Sequence, residues 1–407
     1  MTREVRNSSW LTVRRLRAHG FLLAVALWGL YAWTIATPGL LDRNGNLKGT
    51  DFLHFYTLGS LALEKRGAEL YDMASQSVLA AQRVPAAAGI HYLPLYPPQV
   101  SIFFLPLALL PYGWALAGWW LESALVYAAC CYALWRSCPQ LKTHDATVAL
   151  LAVAFPGFFN LIAWGQTSAL ALACLTLTLL FLRNKHEFVA GLVLGCLIFK
   201  PQLGLAAAIV FFGIGAWRVI AGAALSAMAE LSIGILYYGL APLQQWLRTI
   251  VHIRSSVALL EPRPYQTHSL RTFWSMLLPW DGLSLTLYVL SATVVLGLTI
   301  AIWRRPAPLA VRFSALLLAT VLVSPHLTVY DLVILVPAIL LLADWLVTRP
   351  FEWAHRRFGP LLYAVYALPL LASLTRWTRV QLSVVAMAAL LVCLWLVTRS
   401  ETDLELV

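Results

Sequence analysis

The stretch Gly20–Leu41, GFLLAVALWGLYAWTIATPGLL, carries no charged side chain and follows a basic N-terminus with Arg3, Arg6, Arg14, Arg15 and Arg17. A helix needs about 20 apolar residues to cross a bilayer. A signal-peptide core is shorter and ends in a small-residue cleavage site, which is missing here. The stretch reads as a retained first membrane helix. The rest of the chain agrees: 60% of its 407 residues are hydrophobic and 12% are charged. Soluble domains average about 25% charged residues. This is the composition of an all-α integral membrane protein, in which each spanning backbone satisfies its own hydrogen bonds.

Outward from this first helix, apolar runs fall near 20–40, 113–135, 145–160, 167–182, 187–200, 201–217, 219–240, 283–303, 308–324, 331–347, 360–375 and 380–398. Twelve spans put both termini on one side. Segments on that side carry 17 of the 29 Lys and Arg residues, from Arg3 and Arg6 through Arg136, Arg183, Arg218, Arg304, Arg349, Arg356 and Arg357 to Arg399. Basic residues favour the cytoplasmic face. Both termini are therefore expected in the cytoplasm, with the protein in the plasma or inner membrane as one polytopic domain over 1–407. The net charge of +11 is explained by this bias and not by a nucleic-acid partner. The six cysteines lie in or beside apolar runs without metal-ligand spacing.

Two long loops fall on the outer side, about 42–112 and about 241–282. Within the first, Gln99–Leu110 is apolar but bounded by Tyr96-Pro97-Pro98 and Pro111. Twelve helical residues reach ~18 Å against a hydrocarbon core of ~30 Å, so this run is expected to dip into the outer interface without crossing. Phe52, Phe55, Tyr56, Gly59 and Leu63 share one helical face, as do Leu243, Trp246, Leu247, Ile250 and Val257. Both stretches are expected to lie on the membrane as interfacial helices.

Several polar residues stand out against this background. Asp51 opens the first of those helices, where an N-cap would explain it as well as chemistry would. Lys200 stands between two apolar runs, where it could snorkel to headgroups or meet a phosphate. Ser324-Pro325-His326 with Tyr330-Asp331 places ionisable groups in an otherwise apolar turn. Trp164-Gly165-Gln166 and the segment from Tyr265 to Arg271, with His268, read equally as ligand-binding or ordinary loops. Glu122 and Glu230 fall inside spans, where carboxylates are costly; they are the best argument for a transporter or flippase of lipid-linked saccharides. No Walker, GxGxxG, GxSxG or HExxH pattern occurs.

Seven segments occur in a telling order: Asp51-Phe52-Leu53-His54-Phe55-Tyr56, Leu70-Tyr71-Asp72, Tyr96-Pro97-Pro98 with Pro106, Gly165-Gln166, Lys200-Pro201, Ser269-Leu270, and Ser324-Pro325-His326 with Tyr330-Asp331. Across roughly residues 40–345 the chain resembles glycosyltransferase family 87, whose best-known members are mannosyltransferases. The resemblance implies a GT-C fold and a polyprenyl-phosphate sugar donor, usually of mannose. It also implies a lipid-linked or glycan acceptor and inverting transfer on the extracytoplasmic face. The catalytic aspartate of the first outer loop maps onto Asp51. Lys200, His326 and Arg271 are the candidates for the donor phosphate; His54, Tyr96, Gln166, His268, Tyr330 and Asp331 are candidate substrate contacts. Thr267-His268-Ser269 departs from the family pattern, which bears on the acceptor. No cofactor is expected. Metal-dependent members of the wider class pair acidic residues, whereas Gly49 and Thr50 precede Asp51, so no metal is expected either.

Overall fold

The computed structural model describes residues 11–252, 261, 263–347 and 352–404, with the side chains of 352–357 and 400–404 outside the description. Val257, Arg3, Arg6 and Arg349 thus lie outside the described residues, as do the side chains of Arg356 and Arg357. Among the described residues the chain is helical, with only two isolated antiparallel bridges, Leu41 to Leu47 and Thr267 to Thr328.

Every one of the twelve apolar runs is helical over most of its length. Their lengths are unequal. Among the described residues, six helices are long and apolar enough to cross a membrane, including Val13–Ile35, Trp217–Tyr238 and Asp281–Trp303; the number is eight if each of two bent pairs makes one span. Others are shorter: Ser168–Arg183, Glu187–Phe199, Pro201–Gly213 and Leu309–Val323. The 13 residues of Pro201–Gly213 reach ~20 Å, less than the ~30 Å of a hydrocarbon core.

The outer faces carry the marks of lipid contact. In Val13–Ile35 only Gly20 is buried, while Phe21, Leu22, Val25, Leu30 and Trp33 are exposed. The interior is built late in the chain. Leu309–Val323 and the 3-10 turn Val329–Leu335 are buried almost throughout, and Val336–Val347 continues from them. Arginines of the expected cytoplasmic turns bond helix-end carbonyls: Arg304 donates to Gly213 O at 2.7 Å and Arg183 to Ser137 O at 3.3 Å. Cations there complement the negative ends of helix dipoles. Glu122 is exposed on its helix.

The segment 42–112 is folded onto the helices. Gln99–Ala108 turns by 116° into Tyr112–Arg136, so it lies across its successor. One expectation fails here. Phe52–Leu63 does not lie on a membrane surface: all its residues from Phe52 to Ala62 are buried. Gln99–Ala108 covers its aromatic face, where Phe55 stacks on Phe104 with ring centroids 4.8 Å apart. A Cβ on Gly59 would sit 2.4 Å from Phe104 O, so only glycine lets the two helices cross this closely. By contrast, Ala241–Val251 remains a surface helix, with Pro242 and Trp246 buried and Leu247 and Val251 exposed. Trp246 Nε1 ties it to Leu95 O at 2.9 Å.

Candidate functional site

Two glycines bring the first polar residues together. Gly49 has φ +62 and Gly165 has φ +71, both in the left-handed region. Gly165 ends Pro156–Trp164, and a Cβ on it would lie 2.7 Å from Phe52 Cβ. The turn therefore docks directly on the start of Phe52–Leu63. Trp164 O accepts the Asp51 N–H at 3.0 Å, and Trp119 Nε1 donates to Gly165 O at 3.0 Å. Gln166 is left beside Asp51, with Nε2 2.6 Å from Asp51 Oδ2.

The Asp51 side chain makes no capping bond to its helix, so capping does not account for the carboxylate. It is half-buried and accepts from Gln166. Burial pushes its pKa up to about 6, against the opposing pull of the Gln166 amide, Lys200 and His326; Asp331 adds to the rise.

Lys200 does not snorkel. It is 3% exposed, and its ammonium donates to Asp331 Oδ1 at 2.9 Å, Ser168 Oγ at 3.0 Å and Gln166 Oε1 at 3.3 Å. An ammonium has three protons, and all three are committed. Tyr330 lays its ring 5.2 Å from Nζ. Asp331 is equally occupied: Oδ1 also takes Ser168 Oγ at 2.5 Å, and Oδ2 takes the Thr328 N–H at 3.3 Å in a capping box. Gln166 thus joins Asp51 to a buried Lys200–Asp331 pair through the two ends of one amide.

A second cluster faces the first. Glu261 Oε1 lies 3.0 Å from His326 Nδ1 and 2.8 Å from Arg271 Nη2, and Thr272 Oγ1 donates to Oε2 at 3.2 Å. Arg271 Nε also donates to Pro325 O at 2.6 Å. Burial alone would raise the Glu261 pKa; His326 and Arg271 outweigh it and hold the carboxyl below its ordinary value.

Both clusters open on one cavity of about 1230 Å³, whose wall includes Asp51, His54, Tyr96, Gln166, Lys200, Arg271, His326, Tyr330 and Asp331. Every candidate is there but one. His268 is 1% exposed, bonded through Nδ1 to Ser383 Oγ at 2.7 Å, and its N–H goes to Leu327 O. Its neighbour Ser269 caps Leu270–Leu277, and this local role fixes the segment with the imidazole turned inward. Asp72, exposed, caps Met73–Arg83 through Ala74 N and Ser75 Oγ. Sequence reasoning missed Glu261, Tyr92 and Arg263, which also line the cavity. Glu261 had one available signal: no other carboxylate occurs between Glu230 and Asp281. Arg263 has no ion pair among the described residues and sits 5.9 Å over Trp164. Among the described residues no group of three or more His, Cys, Asp or Glu is arranged to hold a metal.

A helical membrane protein with a large cavity, two carboxylates shifted in opposite directions and two charged clusters has the form of an enzyme acting on a polar group at a membrane. The sequence model of glycosyltransferase family 87 matches residues 95–325, more than half of the 407 residues, and the chain belongs to that family. It is a membrane glycosyltransferase. Asp51 lies before the matched stretch, while Gln166, Lys200, Glu261 and Arg271 lie inside it. No curated protein and no solved structure matches the chain.

Proposed function

We propose that the protein moves a sugar, mannose by family resemblance, from a polyprenyl-phosphate donor to a hydroxyl of a lipid-linked or glycan acceptor. Transfer occurs on the extracytoplasmic face, with inversion, within a GT-C fold of twelve spans. The observation that carries this reading is Asp51: a carboxylate in a cavity wall, held by Gln166 and tuned to about 6. A general base works best with a pKa near the operating pH. Asp51 takes the proton of the acceptor hydroxyl as that oxygen attacks the anomeric carbon. The bond from that carbon to the phosphate oxygen breaks, and the lipid phosphate leaves.

The leaving phosphate needs positive charge close by. Arg271 and His326 are pre-positioned by Glu261, and Lys200 can release its longest bond, the 3.3 Å contact to Gln166. The wall carries four Lys and Arg (Lys48, Lys200, Arg263, Arg271) against five Asp and Glu (Asp42, Asp51, Glu261, Asp281, Asp331). That balance suits a donor with one negative charge better than a pyrophosphate. Transfer is expected to survive EDTA unchanged, because side chains meet this charge. Loss of activity in EDTA with recovery in Mn²⁺ or Mg²⁺ would contradict it.

The orientation has its own test. Reporters fused at Asn44 and Gln266 are expected to read extracytoplasmic, and those at Arg183 and Arg356 cytoplasmic. If Asn44 and Arg183 report the same side, the site faces the wrong compartment for a lipid-phosphate donor.

A further inference from the structure

One residue of the cavity wall, His54, has two ring nitrogens with no role so far. His54 is 4% exposed, yet neither Nδ1 nor Nε2 has a hydrogen-bond partner. Buried polar atoms in folded proteins nearly always find one. The residue lines the same cavity as Asp51. The two residues open one helix, where the His54 N–H bonds Asp51 O at 3.2 Å. Residues three apart share a helix face, with Cβ atoms about 5–6 Å apart. Tyr92 and Tyr96 flank the imidazole at 5.1 and 5.7 Å between ring centroids, tilted by 40° and 45°. Tyr92 spends its hydroxyl proton on Thr50 O and makes no hydrogen bond to the ring. Burial holds the ring neutral, with a pKa down to about 4. A neutral imidazole offers one donor and one acceptor, and a hydroxyl can use either.

Resting on the glycosyltransferase reading above, we propose that His54 determines acceptor specificity: it binds the hydroxyl next to the one that Asp51 deprotonates. The acceptor is then a vicinal diol on a polyol ring, and the Asp51–His54 pair selects which of its two oxygens is glycosylated. The flanking tyrosines give the ring's C–H faces an apolar, aromatic seat.

The test uses full-length purified protein with polyprenyl-phosphate mannose. The acceptors are octyl α-mannoside, its monodeoxy derivatives and phosphatidylinositol, which separate a sugar diol from a cyclitol diol. Wild type, His54→Phe and His54→Gln are compared. His54→Phe should raise the acceptor KM on the order of ten- to a hundredfold, since a site built to bind a hydroxyl loses that contact. The donor KM should not move. His54→Gln, with a donor and an acceptor of its own, should recover part of the loss. One deoxy acceptor should be penalised in wild type and not in His54→Phe. The melting temperature of His54→Phe should equal or exceed that of wild type, since two unpartnered nitrogens leave the interior. An unchanged acceptor KM, or a deoxy penalty equal in both proteins, overturns the assignment. A raised donor KM moves His54 to the donor and overturns it too. If wild type glycosylates none of these diol acceptors yet labels membrane glycolipid extract, this assignment is overturned and the parent reading stands; if it labels neither, the parent reading falls as well.

Discussion

Asp51→Asn lowers sugar transfer by about 10²–10⁴-fold, the usual contribution of a general base, while the protein folds and expresses normally. The side chain does not cap its helix, so no cap is lost. Asn can still accept from Gln166 Nε2 through its own oxygen. The neighbours leave little room for a substitute: Asp331 is filled by Lys200, Ser168 and Thr328, and Asp72 caps its own helix outside the cavity. The pH dependence follows from the shift to about 6. Below that value Asp51 is protonated and cannot take a proton, so kcat/KM should fall about tenfold per pH unit. Stability moves the other way. A carboxyl whose folded pKa is raised stabilises the fold below its unfolded pKa of about 3.9, and that contribution is lost as pH rises through the folded value. The Asn variant should therefore melt at or above wild type at pH 8, with the gap closing toward pH 4. Substantial activity in Asp51→Asn, in folded protein, would remove Asp51 from the chemistry.

The second large effect is at Lys200. Its ammonium and Asp331 are buried together, at 4% and 2% side-chain exposure. Removing one partner of such a pair costs about 3–5 kcal/mol, because the other charge is left buried and unpaired. Lys200→Ala should thus lower the melting temperature and transfer together. Loss of activity alone would not place Lys200 on the donor phosphate. The double variant Lys200→Met with Asp331→Asn separates the two roles. It removes both charges, and the oxygen of the introduced amide can still accept the Thr328 N–H. Stability should return, while donor affinity stays weak by on the order of tenfold, the cost of one lost charged hydrogen bond. Lys200→Arg should be intermediate in affinity, because a guanidinium is larger and its fork matches this pocket less well. Full recovery of donor affinity in the double variant would confine Lys200 to a structural role and leave Arg271 and His326 to the phosphate.

Much of the helical content was legible, because apolar length and flanking charge are local properties. Gly20–Leu41 is helical as far as Ile35, and the runs after it are helical over most of their length. Their partners were not legible. The aromatic face of Phe52–Leu63 suggested a membrane surface, but Gln99–Ala108 covers that same face, with Phe55 stacked on Phe104, and this depends on a 116° turn at Pro111 and the absence of a side chain at Gly59. At the site, residue types in order pointed to Asp51, Gln166, Lys200, His326 and Asp331, and all five line one cavity. The bonding was not in that order. Nothing local to Lys200 says that Asp331, more than a hundred residues on, consumes its charge. Glu261 was missed because it sits in a loop without periodicity, and its meaning comes only from His326 and Arg271 arriving beside it. His268 was overread: its segment is fixed by the Ser269 cap and the Thr267–Thr328 bridge, which turn the ring away from the cavity.

The most direct test of the central claim is a transfer assay with purified full-length protein in lipid nanodiscs at pH 7.5. Radiolabelled polyprenyl-phosphate mannose is the donor, with membrane glycolipid extract as acceptor and Asp51→Asn in parallel. The expected result is labelled glycolipid of inverted anomeric configuration from wild type, about 10²–10⁴-fold less from Asp51→Asn, with comparable melting temperatures. Equal transfer by the two proteins would contradict Asp51 as the base. Movement of intact donor across the bilayer, with no product formed, would contradict glycosyl transfer itself.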